Sequence, residues 1–492
     1  MLVGPLLTIR ADASYTGGTG HIMRTLALAQ QWIKRGGRCT YLTHHLPEQL
    51  HQRLTEEQCN IRLIETSPGS RDDAAETSTL LQELHPHCLL IDGYHLALDY
   101  QKQLTLPERT LVACISDFGT EDFHQPNVVI HANAKTTASY GNIPENTTLL
   151  AGPEFILLRD ELLCTKPAPT APESQKILIT LGGSDPMEAA FSLITHLESA
   201  DLLEGREFRI VLGPAYPKNG LAHTIKHPNV TRILSPTSLA PHYLWADTAI
   251  CSPSTTAFEL AHYGLPTGLI TTADNQTKVL EAFQELRAAL SLGDCRQTPH
   301  LETNSLRSLL LEQSTRSTLA QNARTLIDGK GTARICDVLG LPLIQLRKAR
   351  LEDAYTLWEW ANDPVTRASS FQSDPIPWEN HCQWLEDSIG NPQRHLLLAT
   401  GSKDEPLAQC RFDQSSPAVY IISISLSPHI RGTGLAPLII RKASQHLKSS
   451  HPSITIEAWI KIENSASVRS FERAGYSHTN DSDSPNRLKM IF

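Results

Sequence analysis

Leu6-Leu7-Thr8-Ile9-Arg10-Ala11-Asp12-Ala13-Ser14 is followed by Gly17-Gly18-Thr19-Gly20-His21 and then by the apolar-periodic run Met23–Lys34. The first stretch reads as a β-strand and the second as a glycine-rich turn. The third reads as a helix with Met23, Leu26, Ala27 and Ile33 on one face. A helix start offers free backbone N–H groups and the positive end of a dipole, which suits a phosphate. Glycines at 17, 18 and 20 let the backbone come close to a ligand. His21 falls in the first helical turn, where a neutral imidazole can accept a proton. By spacing alone the turn is compatible with nucleotide binding, and His21 can equally cap or pack.

Working outward, short apolar runs at 5–10, 38–43, 61–64, 88–92, 111–115 and 128–131 alternate with amphipathic stretches. This rhythm predicts a parallel, doubly wound sheet. A polar run with three prolines, 164–174, reads as an exposed linker. The rhythm then restarts with Ile177–Leu181, leading into Gly182-Gly183-Ser184-Asp185. Strands are expected again at Phe208–Leu212, Val230–Leu234, Thr248–Cys251 and Gly268–Ile270. The reading is an α/β pair of Rossmann-type domains, residues 1–163 and 175–341, with a ligand cleft at the carboxyl ends of the strands. An α+β unit over 343–492 follows, with a helix around Leu357–Ala361 and antiparallel strands, most clearly Val419–Leu426.

Composition narrows the classes. The chain has 492 residues, 40% hydrophobic and 19% charged, with a formal net charge of −9. That suits two to four globular domains. No basic block favours nucleic acid, and no apolar run is long enough to span a membrane. The apolar N-terminal stretch reads as a strand rather than a signal peptide. Ten scattered cysteines form no CxxC pair, which points to buried thiols in a cytoplasmic protein and to no metal site.

A wider pattern carries a family resemblance. Arg10, Asp12 and Ser14 lead to Gly20-His21, Arg24 and Leu26-Ala27-Leu28-Ala29. Asp92-Gly93-Tyr94, Asp117, Gly152-Pro153-Glu154-Phe155 with Leu157-Leu158-Arg159, and Gly182-Gly183-Ser184-Asp185 follow in order. Ser254-Thr255-Thr256-Ala257-Phe258-Glu259-Leu260 and Asn275-Gln276 complete the set. Over about 340 residues the chain resembles the UDP-sugar hydrolases of pseudaminic acid biosynthesis, relatives of the MurG-type glycosyltransferases. The resemblance implies a GT-B fold and cleavage of UDP-2,4-diacetamido-2,4,6-trideoxy-β-L-altropyranose to UDP and the free sugar. It implies that His21 activates water, that Glu259 binds the uridine ribose and that the helix start at Ser254–Thr256 faces the diphosphate. Asp12, Ser14, Gly20, Arg24, Asp92, Tyr94, Ser254, Thr255, Asn275 and Gln276 then join Glu259 as substrate-binding candidates. Asp12 is placed in sequence to orient His21 or to bind a sugar group. Three departures stand out: Ser116-Asp117 where the family often has two aspartates, Ser252-Pro253 where it usually has glycines, and Phe155 for a tyrosine. Plainer readings also exist, since Asp92 and Asp117 can cap turns, Tyr94 can pack and Glu259 can be an ordinary helix residue.

The C-terminal unit has its own signature. After the expected strand ending at Leu426 come Arg431-Gly432-Thr433-Gly434-Leu435-Ala436 and an apolar-faced helix. Backbone N–H groups of such a turn can cradle a pyrophosphate. Further on lie Glu463-Asn464-Ser465-Ala466-Ser467 and Phe471 to Tyr476. Together they resemble the acetyl-CoA site of GNAT acetyltransferases, which implies that Leu426, Arg431, Gly432, Thr433, Gly434, Ala436, Asn464 and Ser467 contact acetyl-CoA. Asn464 can also simply cap its helix. Trp360-Ala361-Asn362-Asp363, Arg367, Ile376, His381 and Trp384 are similar to acetyltransferases that act on nucleotide-linked amino sugars. His381 can serve the amine, touch sugar or pack. Phe471 stands where many such enzymes carry a tyrosine acid, and Tyr476 falls at a core position.

The expected protein is a bifunctional enzyme that acetylates a UDP-linked amino sugar with acetyl-CoA and hydrolyses the product at C1. It needs no metal, nucleic acid or membrane. A glycosyltransferase on the same fold is the nearest alternative, distinguished by UDP release without an acceptor. A non-catalytic nucleotide-sugar binder is the other, distinguished by binding without turnover.

Overall fold

The computed structural model describes the chain except residues 1–3, 14–18, 120, 133–146, 164–170, 183–184, 186, 214–215, 218, 298, 341–343, 402–403, 434 and 480–486, and the side chain of Asn275. The first sheet holds β1 (Leu6–Ala11), β2 (Arg38–Thr43), β3 (Asn60–Leu63), β4 (Cys88–Asp92), β5 (Leu111–Ile115), β6 (Val128–His131) and β7 (Thr148–Ala151). Their spatial order is β3-β2-β1-β4-β5-β6-β7, and the pairs β1–β4, β2–β3, β4–β5, β5–β6 and β6–β7 run parallel. β1 is buried along its whole length because a parallel sheet is covered on both faces. Its one buried cation, Arg10, is neutralised by Asp73 at 2.7 Å and Asp12 at 2.7 Å.

The second sheet repeats the plan. It holds β8 (Lys176–Thr180), β9 (Glu207–Leu212), β10 (Val230–Leu234), β11 (Thr248–Cys251), β12 (Thr267–Thr271), β13 (Leu290–Asp294) and β14 (His300–Leu301). The order is β10-β9-β8-β11-β12-β13-β14, parallel except for the last, antiparallel pair. The two doubly wound sheets are the paired Rossmann-type halves of a GT-B fold, as expected. In both, the strand order reverses beside the central strand, at β1–β4 and β8–β11. Ligands of such sheets bind outside the carboxyl ends of the strands at that point.

The third sheet runs β15 (Gln345–Lys348), β16 (Arg394–Thr400), β17 (Pro406–Ser416), β18 (Val419–Leu426), β19 (Thr455–Lys461), β21 (Arg487–Ile491) and β20 (Ser477–His478) in space. It is antiparallel apart from β18–β19, which pair in parallel from Val419 to Ile422. The expected antiparallel strands are present, and the parallel β18–β19 pair adds to them. A parallel neighbour needs a crossover, and the helix Leu435–Ser450 supplies it. Two compact units divide the chain: Leu7–Gln31 with Cys39–Leu339, and Gly340–Phe492 with two short N-terminal stretches.

Differences from the sequence reading are local. β7, β13 and β14 were not anticipated; β14 has only two residues, and β13 carries Gly293 at a φ of 135°. The helix Gly20–Lys34 buries Ile22, Leu26, Ala27, Leu28, Ala29 and Trp32 completely, while Met23 and Ile33 are only half-buried. Its apolar surface is therefore wider than the single face predicted.

Candidate functional site

The helix Gly20–Lys34 starts just beyond the carboxyl end of β1, with the Met23 amide donating to the Thr19 carbonyl at 3.0 Å. A side chain at Gly20 would meet nothing within 4 Å among the described residues, and Gly20 is exposed. One turn in, His21 and Arg24 share a helix face, as residues three apart must. Both turn towards the neighbouring strand end, where Asp92 closes β4.

His21 Nδ1 lies 2.8 Å from Asp92 Oδ1. Arg24 grips the same carboxylate with two bonds, Nε to Oδ2 at 2.6 Å and Nη2 to Oδ1 at 2.5 Å. Its other edge meets Asp117, at the end of β5, with Nη1 to Oδ1 at 2.5 Å. Burial would raise the Asp92 pKa, but Arg24 and His21 outweigh it and bring it down to about 2. Asp117 is likewise held below its ordinary value against burial, chiefly by Arg24. An ionised carboxylate can only accept, so Nδ1–H of His21 is the donor of this pair and Nε2 faces away from it; Arg24 Nη2 also lies 3.1 Å from Nδ1. Among the described residues Nε2 has no protein partner, and the His21 side chain is 17% exposed.

Tyr94 covers this group. Its ring stands edge-on to His21 at 5.1 Å, its hydroxyl donates to Asp117 at 2.7 Å, and it is 51% exposed. Beside it a cavity of about 220 Å³ is lined by Arg24, Asp92, Tyr94, Gln101, Phe118 and Phe123, among others. An imidazole oriented by a buried carboxylate, partly open to solvent and beside a cavity lined by its partners, is an arrangement that can take a proton from water.

Other candidates are placed differently. Asp12 does not orient His21: its oxygens accept from Arg10 at 2.7 Å and the His44 amide at 2.6 Å, and Oδ2 lies 2.7 Å from His95 Nε2. It ties β1 to the segments after β2 and β4, and the orienting role belongs to Asp92. Arg24, expected to contact substrate, is consumed by two carboxylates. Glu259 is 3% exposed, with Tyr243 donating to Oε2 at 2.6 Å and Arg159 at 3.1 Å from Oε1. The expected ribose contact is thus not prearranged, because both oxygens are engaged inside the protein. Gln276 Oε1 accepts the Thr272 amide at 2.7 Å and the Ala273 amide at 3.2 Å, closing its own loop instead of facing a ligand. Ser254 caps the helix Thr255–Tyr263 by position without a side-chain cap bond; its carbonyl accepts the Ala257 amide at 2.9 Å, while the Thr255 and Thr256 amides have no acceptor within the helix. Asp185 accepts the Ala189 and Ala190 amides, both at 3.0 Å, and so starts the next helix. Ser14, Gly17, Gly18, Gly183, Ser184 and the side chain of Asn275 lie outside the described residues, as does Gly434 of the C-terminal turn. His95 and Asp73 escaped the sequence reading. Only the adjacency of His95 to Asp92-Gly93-Tyr94 hinted at the first.

In the C-terminal unit the strand β18 ends at Leu426 and the chain turns through Arg431, Gly432 and Thr433. Gly432 has a φ of 77°, a left-handed turn that favours glycine. The helix Leu435–Ser450, which includes Ala436, then presents first-turn amides with no helical acceptor. Arg431 is folded back rather than free: it donates to Asp363 at 2.6 Å, Thr366 at 3.1 Å and the Leu426 carbonyl at 3.2 Å. Thr433 Oγ1 donates to the Ile430 carbonyl. Asn464 Oδ1 accepts the Ser467 amide at 3.0 Å, which makes it the N-cap of the helix Ser465–Ala474. Tyr476 is buried with its hydroxyl 2.7 Å from Ser444, and Phe471 is buried against it. His381 is 3% exposed between Trp378 and Trp384, and burial keeps its pKa below the ordinary value. Its Nε2 has no partner among the described residues.

Residues 344–477 match the family model described as an acetyltransferase (GNAT) domain. The spore coat polysaccharide biosynthesis protein SpsG of Bacillus subtilis (strain 168) is 23% identical over 339 residues, covering 67% of this chain and 96% of SpsG. Among solved structures, MurG of Acinetobacter baumannii is 17% identical with a TM-score of 0.48, covering 68% of this chain and 99% of that one. A spermidine N-acetyltransferase from Vibrio cholerae, in complex with CoA and spermine, is 13% identical with a TM-score of 0.28, covering 30% and 94%. A GNAT domain uses acetyl-CoA as its acetyl donor. Among the described residues no group of three or more His, Cys, Asp or Glu is arranged to hold a metal ion, and no helix is long and apolar enough to cross a membrane. The chain therefore joins an SpsG-like region of two Rossmann-type halves to a C-terminal GNAT acetyltransferase domain.

Proposed function

We propose that the chain is a bifunctional enzyme of nonulosonic acid synthesis, acting on a UDP-linked 4-amino sugar in the cytoplasm. The GNAT domain acetylates the amine, and the two Rossmann-type halves then release the sugar from UDP. The resemblance stated above gives the hydrolysed substrate as UDP-2,4-diacetamido-2,4,6-trideoxy-β-L-altropyranose. The observation that carries the hydrolase reading is the His21–Asp92 pair at the helix start, with Nε2 unpartnered among the described residues. The match of residues 344–477 to a GNAT domain carries the other half.

In the hydrolytic step His21 Nε2 takes a proton from water as the water oxygen bonds to C1. The C1–O bond to the diphosphate breaks and its electron pair stays on UDP. Asp92 stabilises the imidazolium that forms, and Arg24 keeps Asp92 ionised and in place. A general base of this kind contributes roughly a hundred- to ten-thousandfold. UDP leaves without a strong acid, and the open amides at Gly20 and Thr255 suit its charge. In the transfer step the amine nitrogen attacks the thioester carbonyl, and CoA leaves as a thiol once it takes up the proton the amine loses. First-turn amides of the helix Leu435–Ser450 suit the CoA pyrophosphate.

NMR of the full chain with acetyl-CoA and a UDP-4-amino sugar tests the whole reading. The N-acetyl signal is expected first, followed by the anomeric signal of a free reducing sugar and by UDP. Acetylation with no UDP release in the absence of a sugar acceptor contradicts the hydrolase half and favours a glycosyltransferase.

A further inference from the structure

Lys278 stands in the first turn of the helix Thr277–Glu285, on the second Rossmann-type half, and its ammonium donates to the Phe118 carbonyl on the first half. Phe118 follows Asp117, whose carboxylate holds Arg24 and the Tyr94 hydroxyl. Phe118 also lines the cavity beside His21's partners. Lys278 thus reaches from one half to the rim of the His21 group on the other.

The placement is locally unfavourable, since a cation in the first turn of a helix opposes the helix dipole. The side chain is exposed, and its ammonium is spent on a neutral carbonyl, with no carboxylate paired to it among the described residues. Local rules are broken in this way where a function is served. The chemistry at His21 lacks such a cation. Arg24, the guanidinium next to it, is already shared between Asp92 and Asp117. A diphosphate leaving group gains negative charge as the C1–O bond breaks, and among the described residues of that group only backbone amides, and no uncommitted cation, answer it.

We propose that Lys278 is the leaving-group cation, its ammonium passing from the Phe118 carbonyl to the diphosphate of a bound nucleotide sugar. The inference rests on the UDP-sugar reading above. Lys278 contributes charge and a hydrogen bond and is itself unchanged: the electron pair of the broken bond stays on the phosphate oxygen, and the water proton goes to His21. A four-carbon stem with a compact, mobile charge suits this movement.

The test compares UDP with uridine on the full chain by ligand-observed NMR, for the wild type, Lys278→Met and Lys278→Arg. Lys278→Met is expected to weaken UDP roughly ten- to a hundredfold, as loss of one charged hydrogen bond does, with uridine unchanged. Lys278→Arg is expected to keep most of the UDP affinity. If Lys278→Met weakens UDP and uridine alike, Lys278 is only a clamp between the halves and the inference falls. Unchanged UDP affinity overturns it as well. A wild-type chain that binds no UDP overturns the UDP-sugar reading itself.

Discussion

Burial alone pushes the Asp92 carboxyl towards its neutral form, yet Arg24 and His21 reverse the balance and bring its pKa down to about 2. The folded value lies below the unfolded one of about 3.9, so the charge stabilises the fold above the unfolded pKa. That contribution is lost as pH falls from about 4 towards about 2. Urea titrations across this range are expected to show a pH slope that Asp92→Asn flattens; an unchanged slope places the acid sensitivity elsewhere. In the same variant hydrolysis is expected to fall roughly a hundred- to ten-thousandfold, because an amide no longer fixes the tautomer or stabilises the imidazolium. A variant with wild-type turnover contradicts the orienting role. The sequence placed His21 at a helix start and Asp92 at a strand end, but not their bond. The two are 71 positions apart, and only the parallel pairing of β1 with β4 brings them together. Asp12, much nearer in sequence, is claimed by Arg10 and His95 instead.

Helix starts carry much of the chemistry, and their caps decide which side chains are available to ligands. Asn464 illustrates this, with its Oδ1 given to the Ser467 amide. Loss of such a cap costs about 1 kcal/mol. Hydrogen exchange of the amides of the helix Ser465–Ala474 is therefore expected to quicken roughly fivefold in Asn464→Ala and to stay slow in Asn464→Asp. A rise in the KM for acetyl-CoA without faster exchange would show that the side chain serves the CoA arm instead. Strands and helices with strong period or clear turn residues were legible, Val419–Leu426 to the residue. The two-residue strand β14 was not, since two residues show no period. The parallel β18–β19 pair was hidden too, because strand direction depends on the crossover helix and leaves no mark in either strand.

At the scale of the whole molecule, the chain joins an SpsG-like region to a GNAT domain, and the proposed function assigns each its own reaction. The restart of the strand–helix rhythm near residue 177 and the paired signatures at 431–436 and 463–476 made three sheets readable from sequence. What stayed unreadable is which polar side chains spend themselves on the protein. Glu259, Gln276 and Arg431 bear the right chemistry for ligands, yet each is bonded internally, a fact set by packing between segments far apart in the chain. His21 differs, because Nε2 has no partner among the described residues. The most direct measurement is UDP release by His21→Ala with acetyl transfer followed in the same sample. Release is expected to fall to background while N-acetylation proceeds at the wild-type rate. UDP release at the wild-type rate from that variant would contradict the account.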